Sequence, residues 1–151
     1  MISVTYLSSA IEVWTDDELV DLLRQARSHN ARRDITGVLL YSGGNFIQTL
    51  EGPEDSVDEV MAKVAEDPRH AGVLVVDRAG IDERAFAGWT MGFRRASAEE
   101  VEEIHGFTDY LRTGRMDSSP TRRHAAATFH RVFRRNVRET HGWAGLHPRP
   151  D

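Results

Sequence analysis

Residues 37–51 read Gly-Val-Leu-Leu-Tyr-Ser-Gly-Gly-Asn-Phe-Ile-Gln-Thr-Leu-Glu. Gly37 to Ser42 is a continuous apolar run and predicts a central strand. Gly43-Gly44 makes a tight turn, and Asn45 to Glu51 returns antiparallel, so the stretch predicts a hairpin. Strand alternation puts Phe46, Gln48 and Leu50 on one face. Gln48 therefore points toward an apolar layer, where an unpaired amide costs about 1–3 kcal/mol.

Upstream, Ile2 to Ser8 alternates and is rich in β-formers, which predicts a strand with Tyr6 at its middle. Thr15-Asp16-Asp17-Glu18 has the form of a capping box. Leu19, Leu22, Leu23 and Ala26 follow at helical spacing and predict a helix from Thr15 to about Ser28. Downstream, Pro53 opens a second helix with Val57, Val60, Met61 and Val64 on one face, and Asp67-Pro68 ends it. Val73 to Val76 predicts the next strand and Trp89 to Arg94 the last.

The order β-α-β-β-α-β is ferredoxin-like, an α+β arrangement, here with one extra strand. Both helices belong on one sheet face, and something must cover the other. Ser97 to Glu100 is a further capping box, leading a helix through Val101, Ile104, Tyr110 and Leu111. Gly114 to Ser119 breaks it, and Ser119-Pro120 begins a last helix to about Thr140, with Phe129, Val132, Phe133 and Val137 apolar. These two C-terminal helices are expected to cover the free face. Residues 1–94 thus form the main domain, and 95–151 a helical extension within the same compact unit.

The 151 residues, 40% hydrophobic, suffice for one core. The absence of cysteine excludes disulfides, Cys-ligated metals and thiol nucleophiles, and fits a reducing compartment. Met1 to Ala10 lacks the basic and apolar regions of a signal peptide. No stretch approaches the roughly 20 apolar residues of a membrane span. No membrane association is expected, and the cytoplasm is the expected location.

The net charge of −5 is unevenly distributed. Residues 1–93 hold 8 Lys/Arg against 16 Asp/Glu, whereas 112–138 hold 8 Arg and only Asp117. The arginine run reads as a solvated helix face or a contact with the acidic part. No base-reading motif accompanies it, so nucleic acid is not an expected partner.

Catalytic constellations are missing: there is no Walker loop and no nucleophile elbow. The nearest histidine pair in the tail, His124 and His130, does not share a helix face, and no metal site is expected. Glu99, Glu100, Glu102 and Glu103 read as a solvated face. That leaves Tyr6 and Gln48, polar residues at core positions. They are either a core pair that satisfies itself or a pair that addresses a ligand between the two helices. Pattern alone leaves the two readings level.

Several stretches together resemble the BLUF family, sensors of blue light using FAD. They are Thr5-Tyr6-Leu7-Ser8, His29-Asn30-Ala31-Arg32 with Ile35-Thr36-Gly37, and Leu40-Tyr41-Ser42-Gly43-Gly44. Phe46 to Pro53, Asp67-Pro68-Arg69-His70 and Phe86 to Phe93 continue the match, which covers about residues 1–94. Ordered motifs at compatible spacing are more specific than any one of them.

The resemblance implies non-covalently bound FAD and a photoreceptor rather than an enzyme. It implies that Tyr6 gives an electron and a proton to the excited flavin. Gln48 stands between that tyrosine and the flavin N5/O4 edge, and its amide rearranges. Asn30 holds the pyrimidine end of the ring. Trp89 and Met91 are the final-strand pair linked to signalling, with their relative nearness to the flavin left open. Asp67, Arg69 and His70 surround the ribityl and phosphate part, and Ser8 and His29 line the pocket. No output domain is recognisable after Arg94, so a downstream signalling protein or a homo-oligomer is the expected recipient of the signal.

Two rivals are weaker. A flavin-dependent redox enzyme on this fold would need a substrate channel or a nicotinamide site, and no dinucleotide fingerprint is present. An acylphosphatase-like hydrolase would need an anion-cradling arginine after the first strand, and Leu7 to Trp14 has none.

Overall fold

The structure, a computed structural model, describes residues 1–10, 14–42 and 44–95. The elements run β1 (Ile2–Ala10), α1 (Asp16–Arg32), β2 (Thr36–Ser42), β3 (Asn45–Gly52), α2 (Glu54–Glu66), β4 (His70–Gly80) and β5 (Gly92–Arg95). They form one five-stranded sheet in the order β4-β1-β3-β2-β5. The first four strands are the ferredoxin-like set, antiparallel throughout, and β5 adds beside β2 in parallel. The expected α+β class and extra strand are both present. The expected helices over 97–111 and 119–140 lie outside the described residues, as does Gly43 of the hairpin turn.

Local chemistry explains the helix boundaries. The Thr15 hydroxyl accepts from the Glu18 amide at 3.2 Å and caps α1. Three acids in the first turn complement the helix dipole. At the other end α1 runs four residues beyond Ser28. Arg33 is its C-cap, and Asp34 takes the left-handed conformation at φ 58° that reverses the chain into β2.

The core lies between the helices and one sheet face. It includes Ile2, Val4, Leu39, Phe46, Leu50 and Phe93 from the strands, Leu19 and Leu23 from α1, and Val57 from α2. Leu7, Leu40 and Ile47 point to the opposite face by alternation and are buried as well. That doubly buried character explains why Gly37 to Ser42 reads as an unbroken apolar run.

Two strands differ from expectation. β4 is longer than Val73 to Val76 because it pairs along nearly all of β1, through two register shifts that flank Tyr6 and Leu7. β5 begins at Gly92, not Trp89. The carbonyls of Trp89, Thr90 and Met91 accept from the Gly37 amide, the Asn30 amide group and the Arg27 guanidinium. Contacts to the end of α1 and the start of β2 thus delay the ladder.

Gly37 permits a close approach of β2 to β3: a Cβ there would stand 2.1 Å from the Thr49 carbonyl oxygen. Backbone cannot yield as a flexible side chain would. Gly37→Ala should therefore destabilise the fold by roughly 1–3 kcal/mol or more, measured as a lowered midpoint in chemical denaturation. An unchanged midpoint refutes this account.

Candidate functional site

The β1–β3 ladder sets Tyr6 directly opposite Gln48, and β2 sets Leu39 on the other side of Gln48. All three side chains face the helices. The Tyr6 hydroxyl donates to Gln48 Oε1. At its other end, the Gln48 amide nitrogen donates to the Met91 sulfur at 3.3 Å. Sulfur is a weak acceptor. Gln48 therefore has one strong partner and one soft one, and both are almost wholly buried.

A cavity of about 190 Å³ opens above this pair, between α1 and α2. Tyr6, Leu39, Phe46, Gln48 and Leu50 form its floor. Leu22 and Ala26 line it from α1, and Val60 and Val64 from α2. Its polar fringe is His29, Asn30, Arg33, Lys63, Asp67 and His70. Apolar walls with a few placed polar groups are the usual form of a small-molecule site.

Six of the sequence-predicted residues thus meet at one cavity: Tyr6, Gln48, His29, Asn30, Asp67 and His70. The other four stand behind them or beside them. Ser8 Oγ lies 3.0 Å from His70 Nδ1, and Arg69 holds Asp67 by three side-chain bonds. The Arg69 guanidinium also stacks 5.1 Å from the centre of the Trp14 ring. Met91 backs Gln48, whereas Trp89 lies half-buried just after the 85–88 turn. Asn30 is buried and donates to the Thr90 carbonyl at 2.8 Å, tying α1 to the segment before β5.

Arg33 and Lys63 were not singled out from sequence. Arg33 is four residues after His29, and Lys63 is three after Val60, so helical spacing on the cavity-facing sides was the available signal. Arg33 bridges α1 and α2 by donating to Glu59 at 2.7 Å.

The site biases its titratable groups. Burial raises the Tyr6 pKa well above the usual phenol range, with a smaller contribution from the Asp67 charge. Tyr6 therefore stays a protonated donor. The bonds from Arg69 hold the Asp67 carboxyl at about 2. Burial lowers the His70 pKa, against an opposing pull from Asp67, and Arg69 adds to the lowering.

These directions give a pH dependence. The folded protein resists protonating His70, whereas the unfolded chain accepts that proton near pH 6.5. Stability is therefore lost as pH falls below that value. The Asp67 contribution is present above the usual carboxylate range and is lost only as pH falls toward about 2. Among the described residues, the change between about pH 7.5 and about pH 5.5 thus belongs to His70. The drop in Tm across this interval should be smaller in His70→Gln than in the wild type. Equal drops would refute the assignment.

The fold and site together define a class: an α+β domain with a largely apolar cavity above a buried tyrosine–amide pair. Residues 1–92 match the profile of the family described as sensors of blue-light using FAD. The photoactivated adenylate cyclase subunit beta of Euglena longa is 43% identical over 90 residues, 59% of this chain and 10% of that protein. The solved dark state of the BLUF protein BlrB is 34% identical, with a TM-score of 0.67, over 90% of this chain and 96% of that one. A bacterial light-regulated adenylyl cyclase aligns at 28% identity and a TM-score of 0.59, over 89% of this chain and 36% of the cyclase. The chain spans about a tenth of the length of the photoactivated cyclase subunit of Euglena longa. The chain belongs to the BLUF family, the flavin-binding sensors of blue light.

The cavity suits that cofactor. Its apolar walls suit a ring system, and Gln48 from the sheet and Asn30 from α1 are polar groups in its lining.

Proposed function

We propose that light is registered by Tyr6 and Gln48 acting as one unit and passed on through Met91. The observation that carries this is the unequal bonding of Gln48, between a phenol and a thioether. When bound, FAD supplies blue-light absorption and, once excited, an electron acceptor. Tyr6 would give its electron to the excited flavin and its proton to Gln48, and both would return to Tyr6 afterwards; burial disfavours loss of the proton by itself, which would leave a phenolate. Gln48 Oε1 is positioned to take that proton. The amide can then exchange its donor and acceptor ends without backbone movement, since Gln presents both. The soft bond to Met91 is the one most easily given up. Asn30, Asp67 and His70 hold the ligand, with Ser8 and Arg69 fixing His70 and Asp67 from behind, and His29 at the mouth.

Tyr6→Phe removes only the phenol, and Gln48→Leu removes both amide functions, so both variants should keep FAD. Each should abolish the reversible red shift in a light-minus-dark spectrum at equal flavin occupancy. The double variant should lose little more, because groups acting as a unit are non-additive. An unchanged shift in Gln48→Leu would return Gln48 to a purely structural role.

We further propose that residues 95–151 complete the same compact unit and carry the output to a downstream protein or a second copy of the chain. The burial of Leu7, Leu40 and Ile47 on the face away from α1 and α2 supports this reading. Among the described residues no helix is long and apolar enough to cross a membrane. The cysteine-free sequence supports a cytoplasmic setting. Truncation after Arg94 should expose apolar surface and cause aggregation, followed by light scattering or gel filtration. A soluble, monomeric, photoactive 1–94 fragment would contradict it.

A further inference from the structure

The chain leaves β4 at one edge of the sheet and enters β5 at the other. Residues 81–91 must therefore pass the ends of β1, β3 and β2. Each of those strands, or the turn leading into it, anchors the crossover. The Ile81 amide donates to the Met1 carbonyl at 3.0 Å. The Ala85 and Phe86 amides donate to the two carboxylate oxygens of Glu51 at 2.7 and 2.8 Å. Arg84 donates to the Thr36 hydroxyl, to the Glu51 backbone carbonyl and to the Asp34 carbonyl. The Gly37 amide donates to the Trp89 carbonyl at 2.8 Å.

Glu51 is 1% exposed. A carboxylate so buried needs strong partners to be tolerated. Here each oxygen takes one backbone N–H, an arrangement that neither an apolar side chain nor an amide reproduces. Glu51 also lies three residues after Gln48 on β3, with its side chain on the opposite face.

We propose that Glu51, seconded by Arg84, is a positioning residue of the light switch. It latches the crossover to β3 and, together with the bonds to the Trp89, Thr90 and Met91 carbonyls, sets where the Met91 sulfur meets the Gln48 amide. This rests on the photosensor reading given above. Gln48 then refers to β3 directly, and Met91 refers to it through the latch in addition to the backbone bonds that tie residues 89–91 to α1 and β2. Return to the dark arrangement requires the Gln48 amide to regain its bond to sulfur. A sulfur held in place favours that return, and a loosened one does not.

Glu51→Gln tests this. It keeps the shape but sets an amide donor against a backbone donor. Thermal recovery of the dark spectrum after blue light should slow by about fivefold or more, the scale of a contact-coupling energy. In a Met91→Leu background, where no thioether remains to be positioned, the same substitution should change recovery by less than about twofold. Unchanged recovery in the wild-type background, or equal slowing in both, overturns the proposal. If Glu51→Gln does not retain FAD, Arg84→Gln enters the same cycle with the same expectations. Amide exchange in the dark holoprotein gives a second readout: Ala85 and Phe86 should be protected, and rapid exchange at both overturns the latch. A wild type without a reversible red shift would instead sink the photosensor reading, and so the two failures are distinguishable.

Discussion

The bond from Tyr6 to Gln48 is the constraint on which the site depends. It joins neighbouring strands on the floor of the cavity, where both side chains are almost wholly buried. A phenol buried this way is a committed donor, so the amide must present its oxygen to it. That choice sends the amide nitrogen toward Met91 and the cavity. The resting orientation of the amide follows from this one hydrogen bond.

The sheet makes that bond reproducible. Tyr6 and Gln48 face each other because β1 and β3 pair in unbroken register from Ile2 to Ser9. A slip of one residue would turn Gln48 to the other face and bring Thr49 inward. On that other face, the Thr5 and Thr49 hydroxyls bond at 2.7 Å directly across from each other, matching the register the aromatic side requires. The irregular pairing of β1 falls instead on its β4 side.

Much of this was legible in the sequence. Alternation alone brought Gln48 to the apolar side, and the Thr15 capping box and the apolar spacing of α2 placed both helices. Trp89 was misread as strand because local propensity cannot register that its neighbouring carbonyls are taken by Arg27 and Asn30, some 60 residues earlier. Glu51 was legible by the same rule that exposed Gln48, a polar residue in an apolar strand. It lies at the strand end, however, where a charge ordinarily reads as solvent-facing. Arg84 offered no signal at all, since its partners Asp34 and Thr36 are joined to it only by the fold. Long-range polar contacts leave no period in a sequence, and apolar faces do.

The crossover also acts as a ruler. Its zero mark is the pair of amides seated on Glu51, and Met91 is read off five residues beyond Phe86. Before Ala85 the chain is held at Ile81 and at Arg84, so lengthening between those two residues leaves the measured interval untouched. Between Phe86 and Met91 every residue counts. An insertion between Trp89 and Met91 would break at least one of the bonds that their carbonyls and that of Thr90 accept from Gly37, Arg27 and Asn30. Tolerance to length change should therefore divide sharply within a single loop, at a point set by a buried carboxylate on a different strand.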